Sequence, residues 1–150
     1  MNVAPFFWLL FVSCCGYAVC FGGRDGRRVS FAYLVAVLLT IPPSLASWDW
    51  SQPRIAIFAI DAALLVVLIA ISLRSRRWFP IWFTGLHAVA VLVHLGTFVA
   101  PKFTAHGYFI AQSVWTLPML GSLVIGVYLD RAAGLVDEVE RSSGSGVSDR

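Results

Sequence analysis

Five apolar stretches, each long enough for a helix of about twenty residues, alternate along the chain with short polar or basic stretches. The first is PFFWLLFVSCCGYAVCF, from Pro5 to Phe21, and the second runs from Val29 to about Ala46. The third and fourth are IAIFAIDAALLVVLIAISL and IWFTGLHAVAVLVHLGTFV, and the fifth runs from about Tyr108 to Leu129. Runs of this length and apolarity predict helices that cross a membrane. The third and fourth, within Ile55 to Val99, flank the tight basic turn Arg74-Ser75-Arg76-Arg77-Trp78-Phe79-Pro80 and predict a helical hairpin around which the rest is organised.

The ends of the runs carry stop signals. Pro5 suits the first helical position, and Gly22-Gly23 stop the first helix before the basic loop Arg24-Asp25-Gly26-Arg27-Arg28. Pro42-Pro43 remove two backbone donors and should bend or end the second helix. Trp48-Asp49-Trp50 in the next loop suits a headgroup layer, where an amphipathic ring is at home. In the fifth run Pro118 predicts a kink, while Gly121 and Gly126 allow close helix approach. Beyond residue 131, Leu135, Val136 and Val139 suggest a short amphipathic segment before the flexible SSGSGVS end. The expected domains are thus a transmembrane bundle over residues 1–131 and a tail over 132–150.

Three ionisable residues other than cysteine and tyrosine interrupt the apolar runs: Asp61, His87 and His94. Asp61 lies 13 residues before Arg74 and His94 lies 14 residues after Pro80. At about 1.5 Å per residue, both then sit roughly 20 Å from the basic turn. Equal depth predicts that the carboxylate and the imidazole meet across the hairpin. His87, seven residues from His94, falls on nearly the same helix face, so both histidines should look into the bundle. Gln112 and Thr116 in the outer half of the fifth run, along with Ser113, offer further hydrogen-bonding groups at that level.

Composition settles the class. Hydrophobic residues make up 59% of the 150 and charged residues 13%, against about 45–50% and about 25% in ordinary soluble domains. The expected fold class is all-α, an integral membrane helical bundle with five transmembrane helices; four remain if one segment lies at the interface. A secretory signal needs a basic start, and none of the first 23 residues is Lys or Arg. The faint lipoprotein-like Phe11-Val12-Ser13-Cys14 is set aside for the same reason, and the first run is expected to stay as a mature helix.

The net charge of +3 reads as topology and not as nucleic-acid binding. Arg24, Arg27 and Arg28, then Arg74, Arg76 and Arg77, then Arg131 follow alternate runs, whereas the intervening loops hold only Arg54 and Lys102. Five spans with the N-terminus outside put all three basic clusters, and the C-terminus, in the cytoplasm. Arg74, Arg76 and Arg77 with Trp78 are candidates for topology and for lipid headgroup contact.

Two readings of Asp61 and His94 stay open. One is a structural clasp between two helices; the other is a role in proton transfer, ion passage or ligand contact, the default for an ionisable group within a membrane. No cofactor is expected. A bis-histidine haem site needs His94 with His106, or a homodimer, because His87 and His94 lie about 10 Å apart along one helix. Cys14, Cys15 and Cys20 lack metal-site spacing and read as small hydrophobes. No glycine-rich phosphate loop and no Gly-x-Ser-x-Gly is present, so enzymatic activity is not expected.

The run Asp61-Ala62-Ala63-Leu64, the stretch Leu73 to Trp82 (LRSRRWFPIW), His94-Leu95, and Trp115 with Pro118 together resemble a group of short, uncharacterised bacterial inner-membrane proteins. The likeness covers about half the chain. Where that group has an aromatic-Trp-Pro order, this chain has Trp78-Phe79-Pro80. The resemblance implies bacterial origin and a small helical bundle, and it carries no activity. The expected role is an accessory or scaffolding subunit of a membrane complex, or a homo-oligomer, with the bilayer and other membrane subunits as partners. The alternative is a small transporter, channel or proton-conducting element centred on Asp61, His94 and His87.

Overall fold

Each apolar run forms a helix. The computed structural model describes residues 4–46, 55–99 and 105–134, with side-chain surroundings for 5–42, 55–96 and 114–134. The helices are α1 (Ala4–Phe21), α2 (Gly23–Ala46), α3 (Ile55–Arg74), α4 (Phe79–Val99) and α5 (Ala105–Ala132). The chain is all-α, with no strand among the described residues. Among the described residues two helical segments, Ile55–Arg74 and Phe79–Gly96, are long and apolar enough to cross a membrane, fewer than the five expected. The apolar run of α1 is shorter, and α2 spends its first turns on Arg24, Asp25, Arg27 and Arg28.

Those four charges are a correction to the sequence reading, which made them a loop. Only Gly22 lies between α1 and α2. Its N–H donates to the Ala18 carbonyl at 2.8 Å, Gly26 N–H donates to the Gly22 carbonyl at 3.0 Å, and Gly23 takes a left-handed φ of 60°. Glycine adopts that φ without a Cβ clash, so α2 restarts at once. Asp25 then falls in its first turn, where a negative charge suits the helix dipole. His106, also expected in a loop, lies in the first turn of α5. Neither Pro42-Pro43 nor Pro118 ends its helix on the spot: α2 continues to Ala46, and α5 runs through Pro118. Trp48 to Trp50, Arg54, Lys102, the Gln112 side chain and the chain beyond residue 134 lie outside what is described.

Chain neighbours pack as antiparallel pairs. Phe11 meets Tyr33 with ring centroids 5.3 Å apart, which sets the register of α1 on α2. Ser72 meets Thr84, and Phe79 fits against Gly126, which set α3 on α4 and α4 on α5. Because α1 also packs on α5, the five helices close into a ring in sequence order. Phe79, Phe83, Leu68, Leu120, Leu123 and Val127 fill the middle, all at most 1% exposed. Tyr33 reaches across to Phe83 in an edge-to-face contact at 5.4 Å.

Of the two glycines expected to allow close approach, Gly126 does so and Gly121 faces open space. A Cβ on Gly126 would collide with Cβ and Cγ of Phe79. Phe79 is fully buried at the start of α4 and has nowhere to retreat. Gly126→Ala should therefore cost at least about 1 kcal/mol in reversible unfolding, the usual penalty for overpacking. Gly121→Ala is the control and should be neutral or slightly stabilising through helix propensity.

Candidate functional site

The facing sides of α3 and α4 carry a seam of polar groups. Nearest the turn, the hydroxyls of Ser72 and Thr84 lie 2.8 Å apart, and Thr84 Oγ1 donates to the Pro80 carbonyl at 2.7 Å. One turn further along α4, His87 Nε2 lies 3.0 Å from the main-chain oxygen of Asp61. A carbonyl oxygen only accepts, so Nε2 carries the proton in this contact. At the next level, His94 Nε2 lies 2.7 Å from Asp61 Oδ2. That is the length of a charge-assisted hydrogen bond.

The spacing explains why these groups share one seam. Thr84, His87 and His94 lie three and seven residues apart, and Asp61 and Ser72 eleven, so each set follows one helix face. Both histidines are 3% exposed and point inward. Asp61 is held twice, by its carboxylate and by its carbonyl, and only its side chain keeps appreciable exposure, at 16%. Counting along the helices puts the pair about 9 Å from the start of α3 and roughly 20 Å from the basic turn. Leu64, Leu68, Phe79 and Phe83 fill the interior on the basic-turn side.

Ser72 and Thr84 were not singled out from sequence, although the count that aligns Asp61 with His94 also aligns these two. Thr116 is half-buried on α5. With Phe79 opposite Gly126 in an antiparallel pair, a position near 111 stands level with His94, so Gln112 occupies that depth and Thr116 lies about one turn nearer the basic end.

A second polar group closes the basic end of the ring. Arg77 Nη1 donates to Asp130 Oδ2 at 3.0 Å and lies 3.5 Å from the Gly22 carbonyl, while its Nε stands 4.0 Å from Asp25 Oδ2. Ser75 Oγ donates to Asp25 Oδ2 at 2.7 Å and accepts the Arg77 main-chain N–H at 3.1 Å. One arginine thus ties the α1–α2 turn, the α3–α4 turn and the last turn of α5. Its side chain is 9% exposed and that of Asp130 is 2%. Burial raises the Asp130 carboxyl above its ordinary value, and the Arg77 guanidinium only partly opposes the rise.

Arg77 therefore parts company with the residues grouped with it from sequence. Arg74, Arg76 and Trp78 face outward, and Arg77 turns in. No sequence signal marks Asp25 or Asp130 as its partners, because all three stand at helix ends far apart along the chain. Among the described residues no group of three or more His, Cys, Asp or Glu is placed to hold a metal ion.

Fold and site together define an all-α bundle of five helices, closed in sequence order, with an acid–imidazole pair between α3 and α4. No family model, no curated protein and no solved structure matches the chain.

Proposed function

We propose that the chain is an integral protein of the bacterial inner membrane, crossing it five times with the N-terminus outside and the C-terminus in the cytoplasm. There it serves as a small accessory or scaffolding subunit of a membrane complex, or as a homo-oligomer. The observation that carries this reading is the direction in which the helices face their side chains. Phe6, Phe31, Val66, Leu73, Leu92 and Tyr128, drawn from all five helices, are each more than 60% exposed, while Asp61 and both histidines turn inward. So large an apolar exterior suits acyl chains or neighbouring spans and is a liability in water. The seven arginines of the first helix turn, the hairpin turn and the end of α5 stand at one end, as a cytoplasmic face requires.

The test is extraction in mild detergent followed by native mass spectrometry. A stoichiometric membrane partner, or a defined homo-oligomer, is the expected result. A monomer from every detergent, with the chain released from membranes by alkaline carbonate, overturns the proposal.

A second reading, a proton-conducting or transporting element, draws on the 2.7 Å contact between Asp61 and His94. Against it stands the filled interior between that pair and the basic end, where Phe79 and Phe83 are fully buried. Liposomes carrying the protein should show no proton leak above empty liposomes. A leak abolished by Asp61→Asn would favour the second reading.

A further inference from the structure

We propose that the basic end of the bundle binds anionic phospholipid headgroups, chiefly through Arg74 and Arg76 on the hairpin turn and Arg24 on the neighbouring α2. This rests on the membrane reading above and goes beyond it, since charge that only sets topology needs no bound lipid.

The argument is one of charge left over after the internal pairs are made. Seven arginines, Arg24, Arg27, Arg28, Arg74, Arg76, Arg77 and Arg131, meet two aspartates, Asp25 and Asp130, at this end. Five positive charges remain in excess. The two acids are committed inward: Asp130 to Arg77, and Asp25 to Ser75, Arg77 and, at 3.7 Å, Arg28. Arg77 is used up in the same network, Arg27 Nε donates to the Val19 carbonyl at 3.2 Å, and Arg131 lies over the Phe21 ring at 4.4 Å. Among the described residues no acid pairs with Arg24, Arg74 or Arg76, and all three are exposed.

The tail cannot neutralise this excess. Beyond residue 134 it carries Asp137, Glu138, Glu140 and Asp149 against Arg141 and Arg150, a deficit of only two. The surroundings of the hairpin arginines also fit a bilayer boundary. Trp78 and Trp82 are 40% and 61% exposed, and Leu73, beside Arg74, is 83% exposed. Indoles at headgroup level with an apolar side chain beneath them hold the turn at the depth where a guanidinium reaches a phosphate. Arginine forms paired hydrogen bonds to phosphate oxygens, a geometry that lysine lacks.

The test uses the full chain. Protein in mild detergent is offered equal amounts of phosphatidylglycerol and phosphatidylcholine, and retained lipid is counted by native mass spectrometry. Phosphatidylglycerol should be retained preferentially, with the preference falling about five-fold for each arginine removed in Arg74→Gln, Arg76→Gln and Arg24→Gln. The double variant Arg54→Gln/Lys102→Gln, which removes basic residues from the other two inter-helix segments of the sequence, should leave it unchanged. Equal retention of the two lipids by the unmodified protein overturns the proposal without any variant having to fold. A preference lost equally in that double variant overturns it too. Flotation with phosphatidylcholine vesicles separates the two levels: failure to float sinks the membrane reading, whereas flotation without lipid preference sinks only the headgroup site.

Discussion

Arg77→Met should lower the unfolding free energy of the bundle by about 3–5 kcal/mol, the cost of removing one partner from a buried ion pair. The substitution leaves Asp130, whose side chain is 2% exposed, with no cation, and it removes the guanidinium that joins three chain-distant turns. The pH dependence follows from the sign of the Asp130 shift. Burial already raises this carboxyl and Arg77 opposes the rise, so the variant should raise it further. A carboxyl whose folded pKa is raised favours the folded state at low pH and loses that contribution as pH climbs through the folded value. The variant should thus come nearer to the parent protein in acid and fall furthest below it at neutral pH. The double variant Arg77→Met/Asp130→Leu should recover most of the loss, because an apolar pair carries no desolvation penalty. Denaturant unfolding followed by circular dichroism at two pH values checks all three statements. Equal losses at both pH values would assign the damage to lost packing instead of stranded charge.

Asp61→Ala should cost about 1–3 kcal/mol, since it removes the carboxylate that His94 Nε2 meets at 2.7 Å. The informative quantity is the coupling in a double-mutant cycle with His94→Ala, expected at about 0.6 kcal/mol and below about 2 for a hydrogen bond between apolar helices. His87→Ala in the same cycle should couple weakly to the Asp61 side chain, because His87 holds the main-chain carbonyl, which survives the substitution. Coupling to His94 indistinguishable from zero would mean that the 2.7 Å contact contributes nothing to stability.

Much of this was legible in the chain itself. Five apolar runs announced five helices, and the glycine pair at Gly22-Gly23 marked the first turn to the residue. Counting outward from the basic turn set Asp61 and His94 at one depth, because a helix converts residue number into distance at a constant rise. The same count would have found Ser72 and Thr84. What escaped was everything that depends on which helix stands beside which. Arg24 to Arg28 looked like a loop because charge suggests solvent, yet the pair Gly22-Gly23 was enough to turn the chain and the charged residues wind into α2. Arg77 looked like Arg74 and Arg76 because the three share a turn. Only one of them points toward Asp130, 53 residues away.

The order of apolar and polar residues by itself determined the helices, their approximate ends, the hairpin register and the level of the acid–imidazole pair. All of these follow from local geometry: a fixed rise per residue and a fixed angle per residue. Closure of α1 onto α5, the fit of Phe79 against Gly126 and the burial of one arginine among two distant aspartates were decided by the tertiary structure alone. Such contacts join residues whose separation along the chain carries no period, and their energies come from shape and charge that exist only once the ring has closed.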